Sequence, residues 1–127
     1  MKRDEACVKS YNVKPEWYKL CQDTLRSAPG TAEVTVYALN ATRLANMKYG
    51  DTMNTINQML GARNLLSKER GAVSHCKNKY GEAGRLMASI ADQLVGCDFT
   101  RARQEHIDAQ VAIRSCQGEL WSSCTCR

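Results

Sequence analysis

The chain has 127 residues, 43% of them hydrophobic but only 6% aromatic, and a net charge of +5. That length suits one domain with a single core, and apolar positions carried by Ala, Leu and Met favour helix packing over a β-sandwich. The basic excess implies affinity for polyanions, namely nucleic acid, an anionic membrane surface or an acidic polysaccharide. No apolar run approaches the roughly 20 residues of a transmembrane helix, and no membrane partner is expected.

The opening Met-Lys-Arg-Asp-Glu-Ala-Cys has no apolar signal-peptide core, whereas seven cysteines point to an oxidising compartment. The expected chain is therefore a mature secreted one, or one read without its leader. Cys7 to Cys21 forms a small unit. A short helix around Glu5 to Tyr11 leads to a turn at Val13-Lys14-Pro15-Glu16, with Pro15 at N1 of a second helix carrying Trp17, Leu20, Cys21 and Leu25. This hairpin returns Cys7 towards Cys21, and a bridge closing so short a loop is worth about 3 kcal/mol in the chain-entropy model. Trp17 and Tyr18 read as a staple packing the hairpin, with an exposed recognition patch as the alternative.

Ala28-Pro29-Gly30 marks a boundary. Thr31 is the expected N-cap of one long helix reaching about Leu66, with a kink near Gly50-Asp51 where the apolar stripe slips. Asn40-Ala41-Thr42 is a glycosylation sequon, making Asn40 a candidate site. Ser67-Lys68-Glu69 opens the next helix, whose stripe is Ala72, Cys76, Tyr80, Ala83, Met87, Ile90 and Leu94. The last helix repeats the pattern at Phe99, Ala102, Ala109, Ile113, Cys116 and Leu120, with His106 in the one polar place. Steps of three and four put each set on one face. Between them lies Val95-Gly96-Cys97-Asp98, with Gly96 expected in the left-handed C′ position and Asp98 or Thr100 at the N-cap.

So short a link makes the last two helices antiparallel neighbours. Cys76 lies 21 residues before Cys97, and Cys116 lies 19 after it. At about 1.5 Å of rise per residue, both sit at the same level of the hairpin, on facing sides. A Cys76–Cys116 disulfide is predicted, with two buried thiols as the alternative. Cys97, Cys124 and Cys126 stay unassigned, intermolecular bonding included.

Catalytic and metal sites are not expected. His75 and His106 lack metal-ligand spacing, and no phosphate loop, nucleophile elbow or HExxH motif occurs. Cys124-Thr125-Cys126 is a lone CxC pair without a second pair to complete a metal site. The basic residues Lys77, Lys79, Arg85, Arg101, Arg103 and Arg114 are interrupted by Glu82, Asp92, Glu105 and Asp108. They read as a solvated face, so nucleic acid is not the expected partner. No cofactor is expected.

The cysteine frame resembles that of the plant invertase and pectin methylesterase inhibitor family. Cys7 and Cys21 flank a proline, Cys76 follows 55 residues later and Cys116 another 40 after that. Cys76-Lys77-Asn78-Lys79-Tyr80-Gly81-Glu82-Ala83 resembles the family's Cys-x-x-x-Tyr-x-x-Ala stretch, and Ala109 to Cys116 resembles the small-residue run before its fourth cysteine. The resemblance spans Cys7 to Leu120. It implies an all-α, antiparallel up-and-down bundle preceded by a short helical hairpin, with one disulfide in each part. Here three long helices are expected, the family's last helix being absent. The divisions are 1–28 for the hairpin, 31–121 for the bundle and 122–127 for a tail. The implied function is a secreted cell-wall or vacuolar inhibitor that binds its target's active-site cleft and does no chemistry itself. The Pro-Lys-Phe stretch associated with invertase inhibitors is replaced by Leu66-Ser67-Lys68-Glu69, which tilts the expected target towards pectin methylesterase, with acid invertase as the alternative. Other readings are a non-inhibitory member of the family and a basic helical module binding acidic polysaccharide or nucleic acid. An uncovered bundle face would also favour self-association.

Overall fold

The computed structural model describes residues 1–123, and the side chains of all of these except Lys9 and Tyr11. It is all-helical, with no strand among the described residues. The helices are α1 (Arg3–Val13), α2 (Pro15–Thr24), α3 (Val34–Gly61), α4 (Ser67–Val95) and α5 (Ala102–Ser123). No described helix is long and apolar enough to cross a membrane. The chain divides into two compact units, Met1–Leu44 and Ala45–Arg127, and the break falls inside α3.

In the first unit, Lys14 is extended and Pro15 starts α2, as the fixed φ of proline favours. The Cys7–Cys21 disulfide joins α1 to α2 with Cα atoms 5.6 Å apart. Around it are buried Cys7, Leu25, Ala28 and Tyr37. Helix α2 ends at Thr24, and a guanidinium serves the carbonyls of the segment that follows it. Arg3 Nη1 donates to Arg26 O at 2.7 Å and lies 3.4 Å from the carbonyls of Leu25 and Ala28. The buried Tyr37 hydroxyl donates to Pro29 O at 2.9 Å. Trp17 departs from the expected packed staple. It is exposed, with the Lys14 ammonium 5.2 Å from its ring centre.

Thr31 is not the N-cap of α3. Lys2 and Thr31 form an antiparallel bridge, and Ala32 N donates to Met1 O at 2.9 Å. That pairing holds residues 31 and 32 extended and delays the helix to Val34. Helix α3 then runs through Gly50 and Asp51 to Gly61, stopping short of the expected Leu66. A second guanidinium closes its end: Arg70 donates to Leu60 O at 2.7 Å and Ala62 O at 2.8 Å. At the start of α4 the cap is Leu66 rather than Ser67, and the Glu69 carboxylate accepts from Leu66 N at 3.3 Å.

The second unit centres on α4 and α5, an antiparallel pair joined by the Cys76–Cys116 disulfide with Cα atoms 4.5 Å apart. One core cluster lies towards the turn, made of Ala83, Met87, Ile90, Ala109 and Ala112, with Ala45 and Tyr49 of α3 against it. A second surrounds the disulfide and contains Ile56, Val73, Cys76 and Cys116. Alanine at the closest positions lets the helix backbones approach, which the 4.5 Å cross-link requires. No buried side-chain nitrogen or oxygen among the described residues lacks a hydrogen-bond partner.

The turn between α4 and α5 differs from the expected form. Gly96 is right-handed at φ −82°, and the left-handed residue is Cys97 at φ 57°. Asp98 is placed as a local cap, accepting from the backbone N–H and the hydroxyl of Thr100, while α5 begins at Ala102. The expected α5 stripe also needs correction. Phe99 and Leu120 are exposed, and His106 is exposed beside Gln110 at 3.3 Å. Ala112 and Ser123 are buried instead.

Two measurements follow from this architecture. Replacing Cys76 and Cys116 together by alanine costs about 4 kcal/mol in the chain-entropy model, against about 3 for Cys7 and Cys21. Urea unfolding should place both variants below the native chain, the first lower. Cys97→Gly relieves a left-handed conformation that disfavours a Cβ and should stabilise the protein by about 1 kcal/mol, read as a raised melting temperature.

Candidate functional site

An apolar groove of about 200 Å3 opens between α3 and α5, with α4 beneath it. Thr52, Thr55 and Met59 of α3 form one wall, and Gln117 and Leu120 of α5 form the other. Val73, Tyr80 and the Cys76–Cys116 disulfide make the floor. The spacing along α3 is helical, since positions 52, 55, 56 and 59 share one face. Beside the groove, Tyr49 meets Tyr80 edge to face with ring centres 5.7 Å apart. Burial and, to a lesser degree, the neighbouring Tyr80 raise the Tyr49 phenol above its ordinary range. The chemistry on offer is apolar contact with a rim of hydroxyl and amide groups, over an α4 floor that a covalent cross-link joins to the α5 wall.

His75 and Ser115 each precede a cysteine of that cross-link, and His75 Nε2 lies 2.8 Å from Ser115 Oγ. Both are half-buried. No carboxylate among the described residues hydrogen-bonds the His75 ring, so the pair ties α4 to α5 without the orienting acid of a nucleophilic triad.

A second, polar cavity of about 530 Å3 lies at the turn end, lined by Arg85, Ser89, Asp92, Gln93, Asp98 and Arg101. Its organiser is Gln93, only 7% exposed. The amide nitrogen of Gln93 donates to Glu105 at 2.9 Å, and its amide oxygen accepts from Arg101 N at 3.1 Å. Hydrogen bonds from Thr100 hold the Asp98 carboxyl below its ordinary range. Charges of both signs line this opening.

The four cysteines singled out in the sequence thus lie in two separate cross-links, one in each unit. Cys97 is exposed and free; Cys124 and Cys126 lie outside the described residues. Asn40 is half-buried within α3, and the Thr42 hydroxyl of its sequon donates to Ala38 O at 2.8 Å. Among the described residues, no group of three His, Cys, Asp or Glu side chains could hold a metal ion. Residues the sequence did not single out include Arg70, Gln93 and the wall residues Thr52, Thr55 and Met59.

Comparison with known protein families, curated proteins and solved structures finds no match for this chain.

The Tyr49 shift has a measurable sign. Its raised folded-state value means that the stabilisation is present below the unfolded tyrosine range and is lost as pH rises through the folded value. Absorbance titration at alkaline pH should show one tyrosine ionising late, and Tyr49→Phe should remove that phase.

Proposed function

We propose that this chain is a helical inhibitor of the plant invertase and pectin methylesterase type, acting by protein contact on pectin methylesterase outside the cell. The observation that carries the reading is the apolar groove on the α3–α4–α5 face, whose α4 floor and α5 wall are joined by the Cys76–Cys116 disulfide. A surface locked before binding loses little conformational entropy on docking. The cysteine frame supports the family resemblance, because each of its two pairs cross-links consecutive helices. On this reading α3, α4 and α5 are three helices of an up-and-down bundle, and the groove is the surface they offer to the target. Met59 and Leu120 on the two walls are partly exposed apolar anchors, suited to the centre of an interface. Acid invertase is the alternative target.

Titrating the oxidised protein against a plant pectin methylesterase and an acid invertase, at fixed ionic strength, tests the proposal. The expected result is stoichiometric loss of pectin methylesterase activity, weakened at least about tenfold by Met59→Glu, a loss of about 1.4 kcal/mol. Loss of invertase activity alone moves the target to the alternative. With both enzymes fully active and both disulfides verified by mass spectrometry, the inhibitor reading fails.

A further inference from the structure

The face of α5 turned away from its own core is not polar. Ile107, Val111 and Trp121 are 41%, 56% and 77% exposed, and they lie on the side of the helix opposite buried Ala109, Ala112 and Cys116. Charge is sorted across this face. Arg103 and Arg114 are eleven residues apart, close to three helical turns, so they share one edge. Asp108 and Glu119 are also eleven apart and share another. Each acid follows its arginine by five residues, which is about 140° around the helix, and Val111 points midway between the two edges. None of the four makes an ion pair within the described residues; Asp108 accepts only from the neutral Gln104 amide, at 2.9 Å.

A helix with one basic and one acidic edge is complementary to itself in only one orientation. Laid antiparallel, two copies set acid against acid and base against base. Laid parallel, each basic edge meets the other copy's acidic edge, as flanking charges do in parallel coiled coils. We infer that α5 pairs in parallel with α5 of a second copy, about a two-fold axis along the helices. Ile107 and Val111 form the seam, and Arg103 and Arg114 of each chain face Asp108 and Glu119 of the other. Trp121 lies beside this seam, where the second copy covers part of its ring. The interface is isologous and closes at two copies. One helix pair of 22 residues covers less than the ~800 Å2 per partner of a standard stable interface, so the dimer is a micromolar, salt-sensitive one. This inference is independent of the proposed enzyme target, because it uses the outer face of α5 and not the groove.

Sedimentation equilibrium of the full chain between about 1 and 200 µM tests it. The background carries Cys97→Ser, Cys124→Ser and Cys126→Ser, so that only non-covalent association is read. The expected result is a monomer–dimer equilibrium whose dissociation constant rises several-fold from low to moderate salt. Val111→Glu should leave a monomer with unchanged helicity. Asp108→Arg should weaken the dimer at least tenfold, and adding Arg103→Asp should restore it, a rescue that a merely destabilised fold would not show. The charge variants decide the question even if Val111→Glu fails to fold. A monomer throughout the range, or a dimer indifferent to Asp108→Arg, overturns the inference. The first of these results would leave the face for a different protein.

Discussion

The covalent link between Cys76 and Cys116 fixes the register of α4 against α5, and much of the second unit depends on that register. Disulfide geometry tolerates only a few ångströms of Cα separation, so facing residues on either side of the link are matched as well. One step away, His75 meets Ser115. Towards the turn, Ala83, Met87 and Ile90 meet Ala109 and Ala112, and at the turn itself Gln93 reaches both Arg101 and Glu105. A slip of one residue would rotate each contact by about 100° around its helix. The cross-link also forms part of the groove floor, so two of the three helices lining the surface proposed to bind a partner are covalently joined.

Two arginines perform the same task in different places. Arg3 supplies donors to carbonyls following α2, and Arg70 supplies them to the end of α3. The fork of a guanidinium reaches two or three carbonyls at once and keeps its charge in any accessible pH range, which an ammonium or an imidazole does less well. Donation by a distant side chain also couples local to tertiary structure, since these carbonyls gain their donors only when the helix carrying the arginine is in place.

The apolar groove and the outer face of α5 are two different uses of exposed hydrophobic surface. The groove is concave and bordered by hydroxyl and amide groups, a form that admits an inserted apolar side chain. The α5 face is convex and edged with charge on both sides, a form that admits another helix. The two proposals therefore use separate surfaces, the outer face of α5 for a second copy and the groove for a target enzyme.

Much of the fold is legible in the residues themselves. Period-three-and-four stripes announce the helices, Pro15 marks the start of α2, and the distances of Cys76 and Cys116 from the intervening turn place them level on a hairpin. Those signals are local, or need only a count of residues. Burial near the turn is different, because after Ile90 the helical period permits Gln93 or Leu94, and after Ala109 it permits Ala112 or Ile113. Hydrophobicity alone prefers Leu94 and Ile113, whereas the structure buries Gln93 and Ala112 most deeply. The close helix approach needs a small residue at 112, and the first turn of α5 needs an acceptor that Gln93 provides. The groove was likewise invisible in the chain, since its walls join Thr52 and Met59 to Leu120 across more than sixty residues. The sequence by itself determined which segments are helical and which cysteines can meet. Tertiary structure alone decided which side of each stripe is covered, because that depends on how closely two helices approach and on what the third leaves open.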